Sequence, residues 1–173
     1  LLRRFAEESS VRAFDELARR HLDLVYSAAL RQTGGRVHLA KDITQMVLID
    51  LARKAAGLKG RPSIVGWLHT ATRFATAATL RAERNRQARE TASVTLNPPL
   101  ADDEPSDAHW ASLRPVLDDA LGELKETERE AVLLRYFQSR SYAAIGSELS
   151  LTETAARSRV DRALERLRLA LSR

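Results

Sequence analysis

The chain has 173 residues, of which 44% are hydrophobic and none is cysteine, and its formal net charge is +5. The absence of cysteine excludes disulfides, thiolate catalysis and cysteine-zinc sites, and the four histidines lack metal-ligand spacing. No apolar run approaches the roughly 20 residues of a membrane span, and no signal-peptide pattern opens the chain. We therefore expect a soluble, cytoplasmic protein with no metal or other cofactor, and the positive charge favours a polyanionic partner.

Apolar residues recur at helical spacing along three segments of the N-terminal part. The first runs through VRAFDELARRHLDLVYSAALRQT and ends at a Gly-Gly pair. The second runs through HLAKDITQMVLIDLARKAAGL, with Ile43, Leu51 and either Met46 or Val47 on its inward side. The third starts near Ser63 and becomes arginine-rich towards its end. No alternating strand pattern occurs, so the sequence predicts an all-α protein.

A proline-containing acidic segment, TASVTLNPPLADDEPSD, follows these helices and contains no lysine or arginine. Its composition is typical of a flexible linker. We therefore predict two small helical domains, at residues 1–90 and 109–173, joined by a linker at 91–108. Four short helices fit the second domain. Within it, Pro115 predicts a first turn or a break, and Thr127 is expected to cap a helix with an acidic first turn.

The last part of the chain, SYAAIGSELSLTETAARSRVDRALERLRLALSR, has the pattern of a helix-turn-helix. The apolar edge of the first helix consists of Tyr142, Ile145 and Leu149, and Leu151 fills the turn. Thr152 can cap the second helix. Ser150 stands at the turn position that glycine often occupies, so we predict a left-handed backbone conformation for it.

The N-terminal half of that second helix is where a recognition helix contacts base edges and phosphates. The residues predicted to face DNA there are Thr154, Arg157, Ser158, Asp161 and Arg162. In the alternative interpretation, the arginines of this helix only solvate its outer face and pair with neighbouring acids. The preceding helix, the apolar turn residue and the cap favour DNA binding.

A second basic segment, LRAERNRQARE, ends the third helix and follows the aromatic residues Trp67 and Phe74. Arginines beside aromatic rings suit an unstacked nucleic-acid strand, because the arginines hold phosphates while the rings receive bases. The alternative is a core tryptophan with a solvated arginine face. This segment therefore gives a second, weaker indication of nucleic-acid binding.

Taken in order, these segments resemble a bacterial RNA polymerase sigma factor of the sigma-70 family and the extracytoplasmic-function (ECF) type. DLVYSAALRQTGG, AKDITQMVLIDLARKA and GWLHTATRFATAATLRAERNR resemble sigma region 2, and LGELKETEREAVLLRYFQSRSYAAIGSELSLTETAARSRVDRALERLR resembles region 4. The resemblance covers nearly the whole chain. It implies a protein without catalytic residues that recruits core RNA polymerase to promoters.

The resemblance also implies a role for particular residues. The helix residues named above would read the minus-thirty-five promoter element. The minus-ten element would be bound and opened by Arg61, Trp67, Arg73, Phe74, Arg81 and Arg84. The clamp helices of core polymerase would be contacted by Asp42, Gln45, Leu48 and Asp50. The polymerase flap and an anti-sigma factor are further implied partners.

Some positions depart from the family pattern. Lys41 and Met46 stand in the clamp-docking helix where acidic residues are common, and Phe74 stands where a base-contacting asparagine is common. A charge-adding phosphorylation of Thr44 is a hypothesis for regulating the same helix.

Two other classes of function are alternatives to a sigma factor. A stand-alone helix-turn-helix regulator would bind duplex DNA unaided, whereas a sigma factor of this type binds promoters well only with core polymerase. An enzyme is disfavoured, because the sequence has no phosphate-binding glycine loop and no nucleophile beside a histidine.

Overall fold

A computed structural model describes residues 1–93 and 108–172, with side chains described in 1–89 and 116–172. Helices are the regular elements of these ranges, which confirms the all-α prediction. They are α1 (Leu2–Glu8), α2 (Val11–Gln32), α3 (Val37–Leu58), α4 (Val65–Ser93), α5 (Ala108–Glu123), α6 (Glu126–Tyr136), α7 (Tyr142–Leu149) and α8 (Glu153–Leu171). Helix α1 was not predicted, and residues 94–107 of the predicted linker lie outside the described ranges.

The ends of α2 follow from local sequence. Ser10 caps its N-terminus by accepting a hydrogen bond from the Ala13 amide. The helix ends at the predicted Gly-Gly pair, where Gly34 and Gly35 adopt φ values of 66° and 89°. Such left-handed conformations strongly favour glycine, which has no Cβ to clash. The turn that they form returns the chain as α3, antiparallel to α2.

Helices α2, α3 and α4 bury their apolar sides against one another. On α3, Val47 is 2% exposed and Met46 is 47% exposed, so Val47 is the inward residue of the two alternatives. The first turns of α4 are also buried, with Val65 and Leu68 in the core. From position 77 onward, the described side chains of α4 are exposed or half-buried. The outer part of α4 therefore projects from the first domain with its polar surface in solvent.

Two expectations for the second domain were wrong. Helix α6 begins at Glu126 with Lys125 as its N-cap residue, so Thr127 lies inside the first turn and does not cap the helix. Acidic Glu126 and Glu128 in that turn are favourable at the positive end of the helix dipole. Helix α5 continues through Pro115, whose fixed φ angle is compatible with a helix although one backbone hydrogen bond is lost.

The predicted helix-turn-helix is formed by α7 and α8. Ser150 adopts the left-handed conformation expected of it, with φ of 58°, and Thr152 accepts a hydrogen bond from the Ala155 amide as the cap of α8. Inside α7, a Cβ placed on Gly146 would lie 2.7 Å from the Leu151 carbonyl oxygen. Only glycine therefore allows the turn to fold so closely over α7.

The two domains pack against each other. Helix α2 contacts α5 and helix α4 contacts α6, and the buried apolar residues of both domains form one contiguous cluster. This arrangement brings residues that are far apart in sequence into a polar interdomain contact.

Candidate nucleic-acid and polymerase interfaces

The outward face of α8 collects every residue that the sequence predicted for minus-thirty-five recognition. The opposite face is fully buried, with Ala156, Val160 and Ala163 in the core. Burial of that face leaves the polar side in solvent, and its members Thr154, Arg157, Ser158, Asp161 and Arg162 are all exposed. The helix thus presents two cations, two hydroxyls and one carboxylate on one surface, a composition suited to base edges and phosphates.

Arg157 is held by an aromatic ring that sequence reasoning did not assign to the site. Its guanidinium carbon lies 5.0 Å from the Tyr142 ring centroid, and that of Arg135 lies 4.6 Å from the same centroid. Arg135 in turn donates a hydrogen bond to the Arg140 carbonyl oxygen at 2.9 Å. Tyr142 was predicted only as an apolar edge residue, so its contact with Arg157 had no separate signal in the sequence.

Another arginine of α8 has a structural partner. Arg166 Nη1 lies 2.7 Å from Glu128 Oε2, and the Glu128 side chain is largely buried beside α8. This pair joins α8 to α6. The alternative interpretation of paired surface arginines therefore describes Arg166, which lies about one turn beyond Arg162, the last of the DNA-facing group.

The minus-ten residues of α4 share one face. At 100° per residue, Trp67, Phe74 and Arg81 follow a nearly straight line, and Arg73 and Arg84 lie beside it, all within roughly a third of the circumference. Phe74 is 73% exposed. Arg81 and Arg84 are exposed on the projecting part of the helix. An exposed aromatic ring next to arginines is a surface on which an unstacked base can rest.

Other members of the minus-ten group have protein partners. Trp67 is half-buried, and the Lys54 ammonium lies 5.9 Å from its ring centroid. Arg73 Nη2 lies 2.9 Å from Asp119 Oδ1, and Arg61 forms an ion pair with Glu126. Both acids belong to the second domain. In this conformation, acidic side chains of the second domain therefore occupy two of the predicted DNA-binding arginines.

An apolar groove of about 620 Å³ runs between α2 and α3. Of the residues predicted to contact polymerase, Gln45 and Leu48 line it, whereas Asp42 and Asp50 are not among the lining residues. Asp50 instead pairs with Lys54 at 3.3 Å. The lining residues are Phe14, Leu22, Asp23, Tyr26, Lys41, Thr44, Gln45, Leu48, Ile49, Ala52 and Arg53. The structure thus divides the predicted polymerase set into two groove residues and two acids of α3 that lie outside the groove lining.

The phosphorylation hypothesis for Thr44 does not fit the structure. Its residue surface is 6% exposed, and its hydroxyl donates a hydrogen bond of 2.7 Å to the Ala40 carbonyl oxygen. A kinase would reach the hydroxyl only after α3 had opened locally. We therefore abandon Thr44 as a switch.

The described residues contain neither a metal-binding cluster nor a membrane-spanning helix. Within 1–93 and 108–172, no group of three or more histidine and acidic side chains is arranged to hold a metal ion. Over the same part of the chain, no helix combines the length and apolarity needed to span a bilayer.

A helix-turn-helix on one domain and an exposed face of aromatic and arginine side chains on the other are typical of proteins that bind nucleic acid. The sequence model of Sigma-70 region 2 matches residues 17–86, and that of Sigma-70 region 4 matches residues 115–167. The chain is 31% identical over 156 residues to the RNA polymerase sigma factor CarQ of Myxococcus xanthus. The aligned residues make up 90% of this chain and 87% of CarQ. The chain belongs to the sigma-70 family and is a sigma factor of the ECF type.

Two further proteins show similarity to the chain. The chain is 31% identical over 164 residues to the ECF RNA polymerase sigma factor SigE of Mycolicibacterium smegmatis, covering 94% of this chain and 63% of SigE. Among solved structures, the sigma factor RpoE in complex with the anti-sigma factor NepR from Bartonella quintana aligns with a TM-score of 0.43 and 22% identity, over 94% of this chain and 98% of that one. As a sigma factor, the protein binds core RNA polymerase and directs transcription initiation at promoters.

Proposed function

We propose that the two exposed cationic faces divide promoter recognition between the domains, with α8 reading the minus-thirty-five element and α4 capturing the opened minus-ten strand. One observation carries this assignment. The predicted α8 residues lie together on one exposed face, and the predicted α4 residues share a face around an exposed Phe74. The protein would act by binding alone, without covalent catalysis, and in the bacterial cytoplasm.

On α8, Arg157 is suited to a base edge and Arg162 to a phosphate. Arginine reads guanine through paired hydrogen bonds to O6 and N7, which requires a guanidinium held in a defined plane. Stacking on Tyr142 supplies that restraint for Arg157. Arg162 is exposed and donates a hydrogen bond of 3.3 Å to the nearby Ser158 carbonyl oxygen, a local contact that it can give up to turn towards the DNA backbone.

On α4, base capture would supply the free energy for opening the duplex. Unpairing and unstacking a base costs a few kcal/mol, and stacking a base on an aromatic side chain returns about 1–3 kcal/mol. Phe74 offers such a ring, with Trp67 on the same side of the helix. Phosphate contacts from Arg81 and Arg84 would add a salt-dependent attraction along the captured strand.

For polymerase docking, we propose that the groove between α2 and α3 receives the clamp helices. Gln45 and Leu48 would make direct contacts there, because both line the groove. Asp42 and Asp50 would act as neighbouring charges on α3. The second domain would contact the polymerase flap, and an anti-sigma factor would compete for the same apolar groove.

Reconstitution with core polymerase tests the proposed function. The full chain should co-purify with core RNA polymerase, and the complex should give run-off transcripts from a subset of genomic fragments. Core polymerase without the chain is the control. A chain that binds specific duplex DNA unaided and neither joins polymerase nor yields transcripts would instead be a stand-alone regulator.

A further inference from the structure

A buried carboxylate at the domain interface has side-chain partners on the opposite domain. Asp118 of α5 is 1% exposed. Its Oδ2 accepts a hydrogen bond of 3.1 Å from Arg31 Nε, and its Oδ1 accepts one of 3.0 Å from Arg31 Nη2. The same Oδ1 lies 3.0 Å from His69 Nε2. Arg31 belongs to α2 and His69 to α4, so Asp118 loses these hydrogen bonds when the domains separate.

The electrostatics of this cluster favour a charged Asp118. Burial acts to raise its pKa, but hydrogen bonds from His69 and Arg31 outweigh burial, and the pKa lies below the ordinary value. The Arg31 guanidinium also lies over the Phe137 ring, at 5.1 Å from its centroid. A buried carboxylate that loses such partners must find water instead, so the cluster specifies one docking arrangement of the two domains.

Further contacts surround this cluster. Arg73 pairs with Asp119 at 2.9 Å, and Arg61 pairs with Glu126. Gln138 Nε2 lies 2.9 Å from His21 Nδ1. These pairs link the first domain to α5, α6 and the segment after α6.

The first turn of α4 is covered as well. A Cβ placed on Gly66 would lie 2.6 Å from Glu130 Cγ, so the Glu130 side chain is seated directly on the start of α4. Acidic side chains of the second domain thus follow the minus-ten face from the loop before α4 to Arg73.

We propose that Asp119 and Glu126, here called the interdomain acidic surface, are an internal ligand of the minus-ten face and compete with single-stranded promoter DNA for Arg73 and Arg61. Asp118, through Arg31 and His69, holds the domains in the arrangement that forms these two pairs. Carboxylates there take the place that phosphates would take. Exposed pairs such as Arg73 with Asp119 are individually weak, so polymerase binding can separate the domains. The proposal rests on the minus-ten assignment made above.

The absence of cysteine from the sequence makes the domain separation measurable. Asp15 on α2 and Glu165 on α8 are exposed and can be replaced together by cysteine for spin labels in the full chain. The wild-type background should give one narrow distance distribution. Asp118→Asn should broaden it towards longer distances. Glu123→Gln, which removes one exposed carboxylate from the same helix, should leave it unchanged.

A charge exchange gives a second route that does not alter the buried cluster. Asp119→Arg should lengthen the label distance by placing two cations together. Adding Arg73→Asp in the same chain should restore the short distance, because the pair is re-formed with reversed charges. If Asp118→Asn fails to fold, as judged by helical circular dichroism, this exchange decides the question.

Binding of a fluorescent, mixed-sequence single-stranded DNA oligonucleotide is the functional readout, measured on the free full chain without polymerase. Affinity scales with the fraction of molecules in the binding-competent state, so Asp118→Asn should bind roughly threefold or more tightly than the wild type. Glu123→Gln should match the wild type within error.

Unchanged label distance and unchanged oligonucleotide affinity in Asp118→Asn, or a wild type that is already broad and long in distance, would overturn the proposal. Failure of the proposed sigma function is distinguishable, because it would be seen as absent run-off transcripts from the wild type whatever the label distances are.

Discussion

The guanidinium of Arg157 lies over the ring of Tyr142, with 5.0 Å between its central carbon and the ring centroid. The two residues come from different helices of the helix-turn-helix, Tyr142 from the start of α7 and Arg157 from α8. Tyr142 is half-buried, and a cation over an aromatic ring near the protein surface is stabilised by about 0.5–1 kcal/mol. Tyr142 therefore restrains the side chain best suited to read a base, which lowers the entropy lost on binding.

Replacing this ring should reduce sequence discrimination. Tyr142→Leu should lower the preference for consensus over a mutated minus-thirty-five element by about two- to fivefold, the equivalent of 0.5–1 kcal/mol. Tyr142→Phe keeps the ring and should retain the wild-type preference. Competition between the two promoters for reconstituted holoenzyme measures this ratio. Equal ratios for the wild type, Phe and Leu proteins would contradict the positioning role.

Arg157 and Arg162 should differ in what their loss changes. Arg157→Ala should cost about 1–3 kcal/mol at one upstream base pair and relax the preference there. Arg162→Ala should weaken binding to consensus and mutated elements alike and lower the salt slope by about one phosphate contact. Holoenzyme titrations on both elements across a salt series separate these effects. The assignments are wrong if Arg157→Ala keeps wild-type affinity and preference.

The sequence predicted the backbone conformation correctly where a single short segment determines it. The left-handed Ser150 and the Thr152 cap follow from the spacing of a helix-turn-helix, and both were predicted correctly. Helical spacing alone could not decide whether Met46 or Val47 faces the core, since either position fits. The packing of α2 against α3 buries Val47 and leaves Met46 exposed. Similarly, Thr127 was a good cap by composition, but α6 begins one residue before it.

The interdomain contact could not be predicted from sequence. Asp118 and Arg31 are separated by 87 positions, and nothing in a single sequence indicates that they meet. The adjacent Asp118 and Asp119 look like ordinary surface acids of an amphipathic helix. The sequence predicts which side chains can bind a phosphate, but the fold determines that carboxylates occupy Arg61 and Arg73.

The arginines on the outer part of α4 should contribute to promoter opening. The double variant Arg81→Ala/Arg84→Ala should impair open-complex formation more than initial duplex binding, because these side chains are assigned to the separated strand. Permanganate reactivity of minus-ten thymines in holoenzyme complexes measures opening. Arg3→Ala/Arg4→Ala removes the same charge from α1 and is the control. Wild-type thymine reactivity in the α4 variant would exclude this role.

Docking on polymerase should respond to charge at the groove. Lys41 lines the groove, and Met46 is exposed on the same helix. If the clamp surface is basic, Lys41→Glu or Met46→Glu should speed association at low salt, because rim charges act mainly on the association rate. The gain should shrink as the Debye length falls below about 8 Å. Surface-binding kinetics with core polymerase measure this, with Lys125→Glu in the second domain as control. Unchanged or slower association of both variants at low salt would contradict it.

Glu130 makes the stability of the protein depend on pH. Burial is the main cause that raises its pKa from 4.5 to about 7, and Glu126 and Glu148 act in the same direction. Arg61 and Arg129 act in the opposite direction. A folded-state pKa above the unfolded value means that folding favours the protonated form. The stabilisation is therefore complete below about pH 4.5 and is lost as pH rises to about 7.

Glu130→Gln should abolish the loss of stability between about pH 4.5 and pH 7, because glutamine does not ionise. Its Tm should exceed that of the wild type at pH 8 and differ less at pH 4.5, and each 1 kcal/mol gained at high pH corresponds to roughly 2–4 °C for a chain of this size. Burial lowers the pKa of His21 to about 4, so His21 also destabilises the folded protein as pH falls below 6.5. This effect is the same in the wild type and in Glu130→Gln, and it cancels when the two proteins are compared at one pH. Thermal unfolding followed by circular dichroism provides the measurement. Glu123→Gln, at an exposed position, should show the same Tm difference from the wild type at both pH values. A Tm difference for Glu130→Gln that does not grow between pH 4.5 and pH 8 would show that the buried carboxyl is not the group responsible.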